Sequence, residues 1–143
     1  MTTISRSALV MHSAEQMFDL VNDVRRYPEF LHGCKATEVI AEGDDFIEAR
    51  LTISKAGVNQ SFSTHNDFVR PQRMDMNLLD GPFSKFSGVW RFQALSDEAC
   101  KVSLDMEFDV GGLIAGAALG VVFKQVANSM VDAFVKRANE IYG

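Results

Sequence analysis

His12, His32 and His65 are the chain's three imidazoles, and none stands in a metal spacing such as His-Glu-x-x-His or beside a paired-cysteine motif. No metal site is expected. The serines lack a Gly-x-Ser-x-Gly elbow, and Cys34 follows His32 on a turn where no third group orients the pair, so nucleophilic catalysis finds no constellation. Acid or base chemistry is left with His65, Asp67 and Arg91. Their strand parity opposes Phe68 and Trp90 and turns them towards solvent.

The residues that point the other way suggest binding. Phe62, Thr64, Asn66 and Phe68 share one parity, so if the phenylalanines face a core then Thr64 and Asn66 do as well. A buried amide needs partners. Near a strand end the protein supplies them; in a cavity a ligand carbonyl or an ordered water does. Met76, Leu78, Trp90, Phe92, Met106, Phe123 and Met130 complete an apolar lining. Methionines 17, 74, 76, 106 and 130 fall on inward-facing positions, where flexible thioethers suit ordinary core filling or a pocket for a long, adaptable ligand. The expected function is therefore non-catalytic binding of an apolar ligand.

Such a lining must be held by a sheet and a helix. Thr3 to Met11 reads as a first strand, and Ser13 with Glu15 and Gln16 reads as the capped start of a helix. That helix carries Met17, Phe18, Leu20, Val21 and Val24 at helical spacing and breaks at Tyr27-Pro28, with a further short turn over Glu29 to Leu31. From Cys34 the period becomes two. Turn residues at Glu42-Gly43-Asp44-Asp45, Lys55-Ala56-Gly57, Arg70-Pro71-Gln72, Asp80-Gly81-Pro82 and Ser96-Asp97-Glu98 separate six strands. Phe86, Gly88, Trp90 and Phe92 share one face, as do Val102, Leu104, Met106, Phe108 and Val110. Past Gly111-Gly112 the pattern is helical, with Leu119, Phe123, Val126, Met130, Phe134 and Ile141 on one side. Strand, helical pair, six strands and a long helix describe an α+β antiparallel fold in one domain spanning residues 1–143.

Bulk properties narrow the partners. Nineteen acidic against 14 basic residues give a net charge of −5, the wrong sign for a protein that holds DNA through its overall field. A local patch is still available: Arg25, Arg26 and Lys35 cluster around the Tyr27-Pro28 turn and can meet a few phosphates, or simply form a solvated loop. Cys34 and Cys100 read as small buried thiols of a reducing compartment. The N-terminus has no apolar stretch after its first charge, so a cytoplasmic location is expected. Gly112, Gly116 and Gly120 fall four apart in an uncharged run, each costing ~1 kcal/mol relative to alanine in a helix. They mark a gate to the cavity, a close approach of backbone, a membrane-contacting face, or loose packing.

The stretch from Ser13 to Cys34, SAEQMFDLVNDVRRYPEFLHGC, together with DGPFSKFSGVWRF from Asp80 to Phe92, resembles the RatA and coenzyme Q-binding branch of the START-like superfamily. VFKQVANSMVDAFVKRA, from Val122 to Ala138, is similar to that branch too, so the likeness runs from end to end. It implies a helix-grip fold in which a curved antiparallel sheet of about seven strands wraps a long C-terminal helix. It also implies one of two functions. The main expectation is binding of ubiquinone or another polyprenyl lipid in support of respiration, with Thr64 or Asn66 meeting a quinone carbonyl and peripheral contact with the inner membrane; the other is the alternative. The second is action of the RatA kind, in which the protein binds the large ribosomal subunit, blocks subunit association and is paired with a small RatB-like antitoxin. Ser54 to Gly57 and Asp80 to Phe83 look closer to the bacterial, ribosomal form. Polyketide cyclase chemistry, found in other branches, is a third option. Residues 111–120, GGLIAGAALG, depart from the branch in being more apolar.

Overall fold

The computed structural model describes residues 2–110 and 114–143, with the side chains of residues 114–116 left aside. Strand β1 (Thr2–Val10) leads into α1 (Ala14–Asn22), a 3-10 turn (Val24–Arg26) and the short α2 (Tyr27–Phe30). Six strands follow: β2 (Cys34–Glu42), β3 (Phe46–Lys55), β4 (Val58–Val69), β5 (Arg73–Asp80), β6 (Phe83–Ser96) and β7 (Ala99–Val110). The chain then enters α3 (Ile114–Tyr142).

Turn chemistry places the strands where punctuation puts them, and the sheet order is β1-β7-β6-β5-β4-β3-β2, antiparallel throughout. Consecutive strands pair as hairpins, while β1 crosses to the far edge and pairs with β7, Thr2 opposite Phe108 and Val10 opposite Cys100. Alternation in β7 buries Cys100, Val102, Leu104, Met106 and Phe108 at 3% exposure or less and leaves Lys101, Glu107 and Asp109 outside. One face of the sheet is therefore apolar, and α3 lies across it. Leu119, Phe123, Val126, Met130 and Phe134 are buried as expected, but Ile141 is exposed. Ala138 is the last fully enclosed residue of α3, and the final turn runs beyond the cover of the sheet.

The helical pair differs from expectation in its break. Ser13 caps α1 with a reciprocal box: its Oγ accepts from Gln16 N at 3.0 Å, and Gln16 Oε1 accepts from Ser13 N at 3.1 Å. The helix stops at Asn22, before Tyr27-Pro28, which instead opens α2. Proline has no N–H to satisfy and fits a first helical turn, where that donor would be unpaired anyway. The buried Tyr27 hydroxyl donates to Val21 O and so folds the turn back onto the end of α1.

Candidate functional site

Between the apolar face of the sheet, α3 and the α1–α2 turn lies an interior cavity of about 40 Å³. Phe62, Thr64, Asn66, Met76, Trp90, Met106, Phe123 and Met130 all line it. Three residues expected there do not. Phe68 and Phe92 pack edge-on against Phe18 at 5.3 and 5.6 Å, so α1 plugs that end. Leu78 is only half-buried and borders an outer groove where β5 diverges from β6. Tyr27, Leu31 and Ala49 line the cavity although nothing in their local pattern marked them, and Val24 joins them from the apolar run that follows Ser13. Phe86, in phase with Gly88, Trp90 and Phe92 as expected, lines it too, and a bulge between Phe83 and Lys85 turns the out-of-phase Phe83 to the same apolar side.

The cavity is small because side chains fill it. A volume of ~10–15 Å³ is enough for one water, whereas sites for small organic molecules span about 300–1,000 Å³. Phe62, Phe83, Phe86, Phe108 and Phe123 form a ring cluster with centroid separations of 4.8 to 6.0 Å at one side. Met74, Met76, Met106 and Met130 occupy much of the rest. Gly88 pairs with Met76 across β5 and β6, and a Cβ there would stand 2.6 Å from Met76 Cε. The missing side chain is what gives that thioether its place.

Within this lining Asn66 is 6% exposed, and its Oδ1 has no hydrogen-bond partner. Thr64 lies two residues away on the same face, 3% exposed. Leaving a buried polar atom unpaired costs ~1–3 kcal/mol, so the position invites a donor from whatever enters. Tyr27 is the one titratable side chain among the described lining residues. Burial pushes its pKa well above the phenol range, and its proton is committed to Val21 O.

The candidate groups for acid–base work lie elsewhere. His65, Asp67 and Arg91 stand on the outer face of the sheet. His65 is bound there by Glu48 (Nδ1 to Oε2, 2.7 Å) and Asp67 (Nε2 to Oδ1, 2.9 Å) and stacks on Phe46 at 5.3 Å. Cys34 and Cys100 are buried free thiols. Burial raises Cys34 to about 11 and raises Cys100 as well, the opposite of an activated thiolate.

The structure neutralises part of the expected cationic cluster. Arg25 pairs with Glu42 at 3.0 Å, and Arg26 with Asp23 at 3.3 Å and Glu29 at 3.5 Å, while Lys35 is exposed. Of the glycine stripe, Gly112 lies outside the described residues, as do the surroundings of Gly116. Gly120 is half-buried within α3, and a Cβ there would meet Val110 Cγ2 at an ordinary 3.7 Å.

Comparison with known proteins places this architecture. The chain is 49% identical over 142 residues, 99% of each protein, to a Pseudomonas aeruginosa protein named ribosome association toxin RatA. It is 29% identical to the mitochondrial coenzyme Q-binding protein COQ10 homolog B of Xenopus laevis, over 97% of this chain and 59% of that protein. In fold it is similar to the Zhui aromatase/cyclase of Streptomyces sp. R1128, with a TM-score of 0.86 at 18% identity, covering 99% of this chain and 96% of that one. The seven-stranded sheet gripping α3 is the helix-grip, START-like arrangement. With residues 10–135 matching its family model, the chain belongs to the polyketide cyclase/dehydrase and lipid transport family.

Proposed function

We propose that this chain acts on ribosome association, docking its surface on the large ribosomal subunit and opposing its union with the small one. The observation that carries this reading is the 49% identity, over 99% of both chains, to a protein named for that activity. The interior supports a role for the surface, since a cavity of about 40 Å³ holds a water or two rather than a lipid. Binding rather than catalysis fits the lining, in which Tyr27 alone is titratable among the described residues and is held neutral by burial. The partner belongs to the cytoplasm, and the protein works there. Purified protein added to a bacterial extract before gradient sedimentation should shrink the joined-ribosome peak, raise both free subunits and travel with the large one. An unchanged joined peak, with the protein left at the top of the gradient, would end this reading.

A second reading rests on its own observation, the unpartnered Asn66 Oδ1 inside an apolar chamber. Ubiquinone or another polyprenyl lipid would enter by displacing the methionines, and a few hundred Å² of buried tail at ~25 cal/mol per Å² would offset the ordering cost. Alpha3 contains a stretch, Ala117–Tyr142, long and apolar enough by composition to cross a membrane, but its apolar side is the one buried against the sheet. Contact with a bilayer would therefore be peripheral. Solvent extraction of the purified protein, followed by titration with a short-chain quinone, tests this. No co-purified lipid and no saturable binding would remove it.

A further inference from the structure

The chain carries no acidic residue between Glu29 and Glu38, between Glu48 and Asp67, or between Asp109 and Asp132. The fold brings parts of these three stretches together at one pole. Gly33 O accepts from Ser54 N at 2.9 Å, joining the entrance of β2 to the end of β3. A Cβ on Gly33 would stand 2.8 Å from Val126 Cγ2 of α3 and 3.8 Å from Lys55 Cδ. Phe62 of β4 packs edge-on against Phe123 at 5.4 Å. In a protein of net charge −5, this pole presents Lys35 exposed and Lys55 half-buried, while Lys124, two residues from Val126 and so about 200° round α3, is exposed on the helix's other flank.

The two kinds of cation divide sharply. Arg6, Arg25, Arg26, Arg50, Arg70, Arg73, Arg91 and Arg137, the full set of arginines, each hold a carboxylate oxygen within 4.0 Å. Among the described residues, Lys35, Lys55 and Lys124 hold none. The charge of the pole is therefore free to meet an outside anion, whereas Arg25 and Arg26 must first give up Glu42, Asp23 and Glu29. The exposed neighbours on the β3–β4 hairpin are Ser54, Asn59, Gln60 and Ser61, hydroxyls and amides of the kind that bond phosphate oxygens. Val121 alone is exposed among the large apolar residues described in these stretches, which leaves little to anchor in a bilayer.

We propose that this lysine-bearing pole, centred on Lys35 and Lys55 and bordered by Asp80 opposite Ser63, is the face that meets ribosomal RNA, through its phosphate backbone. The proposal rests on the ribosome-association reading and adds the surface and the chemistry of contact. Neutralising about two phosphates predicts a slope of about −1.4 to −1.8 for log affinity against log salt, hence a roughly 7- to 12-fold loss for a fourfold rise in salt.

The experiment is co-sedimentation of the full chain with purified large subunits across a salt series. It compares the wild type, the double variant Lys35→Glu with Lys55→Glu, the single variant Lys35→Glu, and a control double, Lys101→Glu with Lys136→Glu, which changes net charge equally at exposed sites elsewhere. Thermal melts establish which variants fold; Lys35→Glu alone, at an exposed site, serves if the double does not. The expected result is at least a tenfold loss of binding for the double, a smaller loss for Lys35→Glu alone, and little change for the control. Equal losses in both doubles, or none in either, would overturn the pole while leaving ribosome association intact. Wild-type protein that fails to bind large subunits overturns both. Loss of binding to phosphatidylglycerol vesicles in the double, with subunit binding unchanged, would assign the pole to a membrane and overturn the proposal.

Discussion

His65 and Glu48 face each other across the β3–β4 pair, with the imidazole Nδ1 2.7 Å from Glu48 Oε2 and Nε2 2.9 Å from Asp67 Oδ1. The hydrogen bond to Glu48, then that to Asp67, raises the pKa of His65 above 6.5, against a small opposing effect of desolvation. A raised folded-state pKa gives stability that is fully present below about pH 6.5 and fades as pH climbs through the folded value. The stability difference between wild type and His65→Gln, measured by urea titration, should therefore be larger at pH 6 than at pH 9. A difference that is flat or grows over that range would show that the carboxylates do not hold the charged ring.

Asn66→Leu replaces the unpartnered Oδ1 in the cavity with an apolar group of similar size. The expected outcome is a gain of ~1–3 kcal/mol in unfolding free energy, because a buried polar atom without a partner is removed. A variant less stable than wild type would show that ordered water satisfies the amide.

Gly88→Ala would bring a methyl group to 2.6 Å from Met76 Cε and drive the thioether into the cavity. Overpacking of this kind costs ~1–3 kcal/mol, and the lower end is expected because the clash falls on the free end of a flexible chain. Shortening the partner with Met76→Val in the same background should recover part of the loss. Absence of any recovery would mean that the strand backbone, and not the thioether, carries the strain.

Gly120→Ala adds a methyl group that meets Val110 at 3.7 Å, an ordinary contact, within the helical turn before the buried Phe123. Stability should rise by up to ~1 kcal/mol, and amide exchange over residues 117–124 should slow. If the glycine stripe is a gate to the cavity, uptake of a short-chain quinone must also slow in the same variant. Faster or equal uptake alongside greater stability would mean that the glycine serves packing alone.

The strands were legible because their signals are local. In β7 an unbroken alternation from Cys100 to Phe108 maps directly onto burial, and Ser13 with Gln16 announces the cap of α1. What escaped depends on residues distant in sequence. The break after Asn22 is secured by Tyr27 reaching back to Val21, and a local pattern saw only the proline. Phe68 and Phe92 have the right parity for the cavity, but Phe18 on another element occupies the space in front of them. Arg25 and Arg26 look like a free basic cluster until the fold brings Glu42 beside one of them. Cavity volume is the least legible quantity, since it is what remains after every side chain has chosen its rotamer.

Pairing the first strand with the last has a price in time. Val10 meets Cys100 and Thr2 meets Phe108, so β1 finds no neighbour in the sheet until about 90 further residues have been made. At a synthesis rate of ~5–20 residues per second that wait lasts roughly 5–20 s. Throughout it, Ile4, Ala8 and Val10 form an uncovered strand, and near its end β6, once made, also presents a bare edge where β7 will later lie. A chain truncated before Ala99 would keep both edges permanently, and self-association in the nascent or clipped state is the hazard that this topology carries.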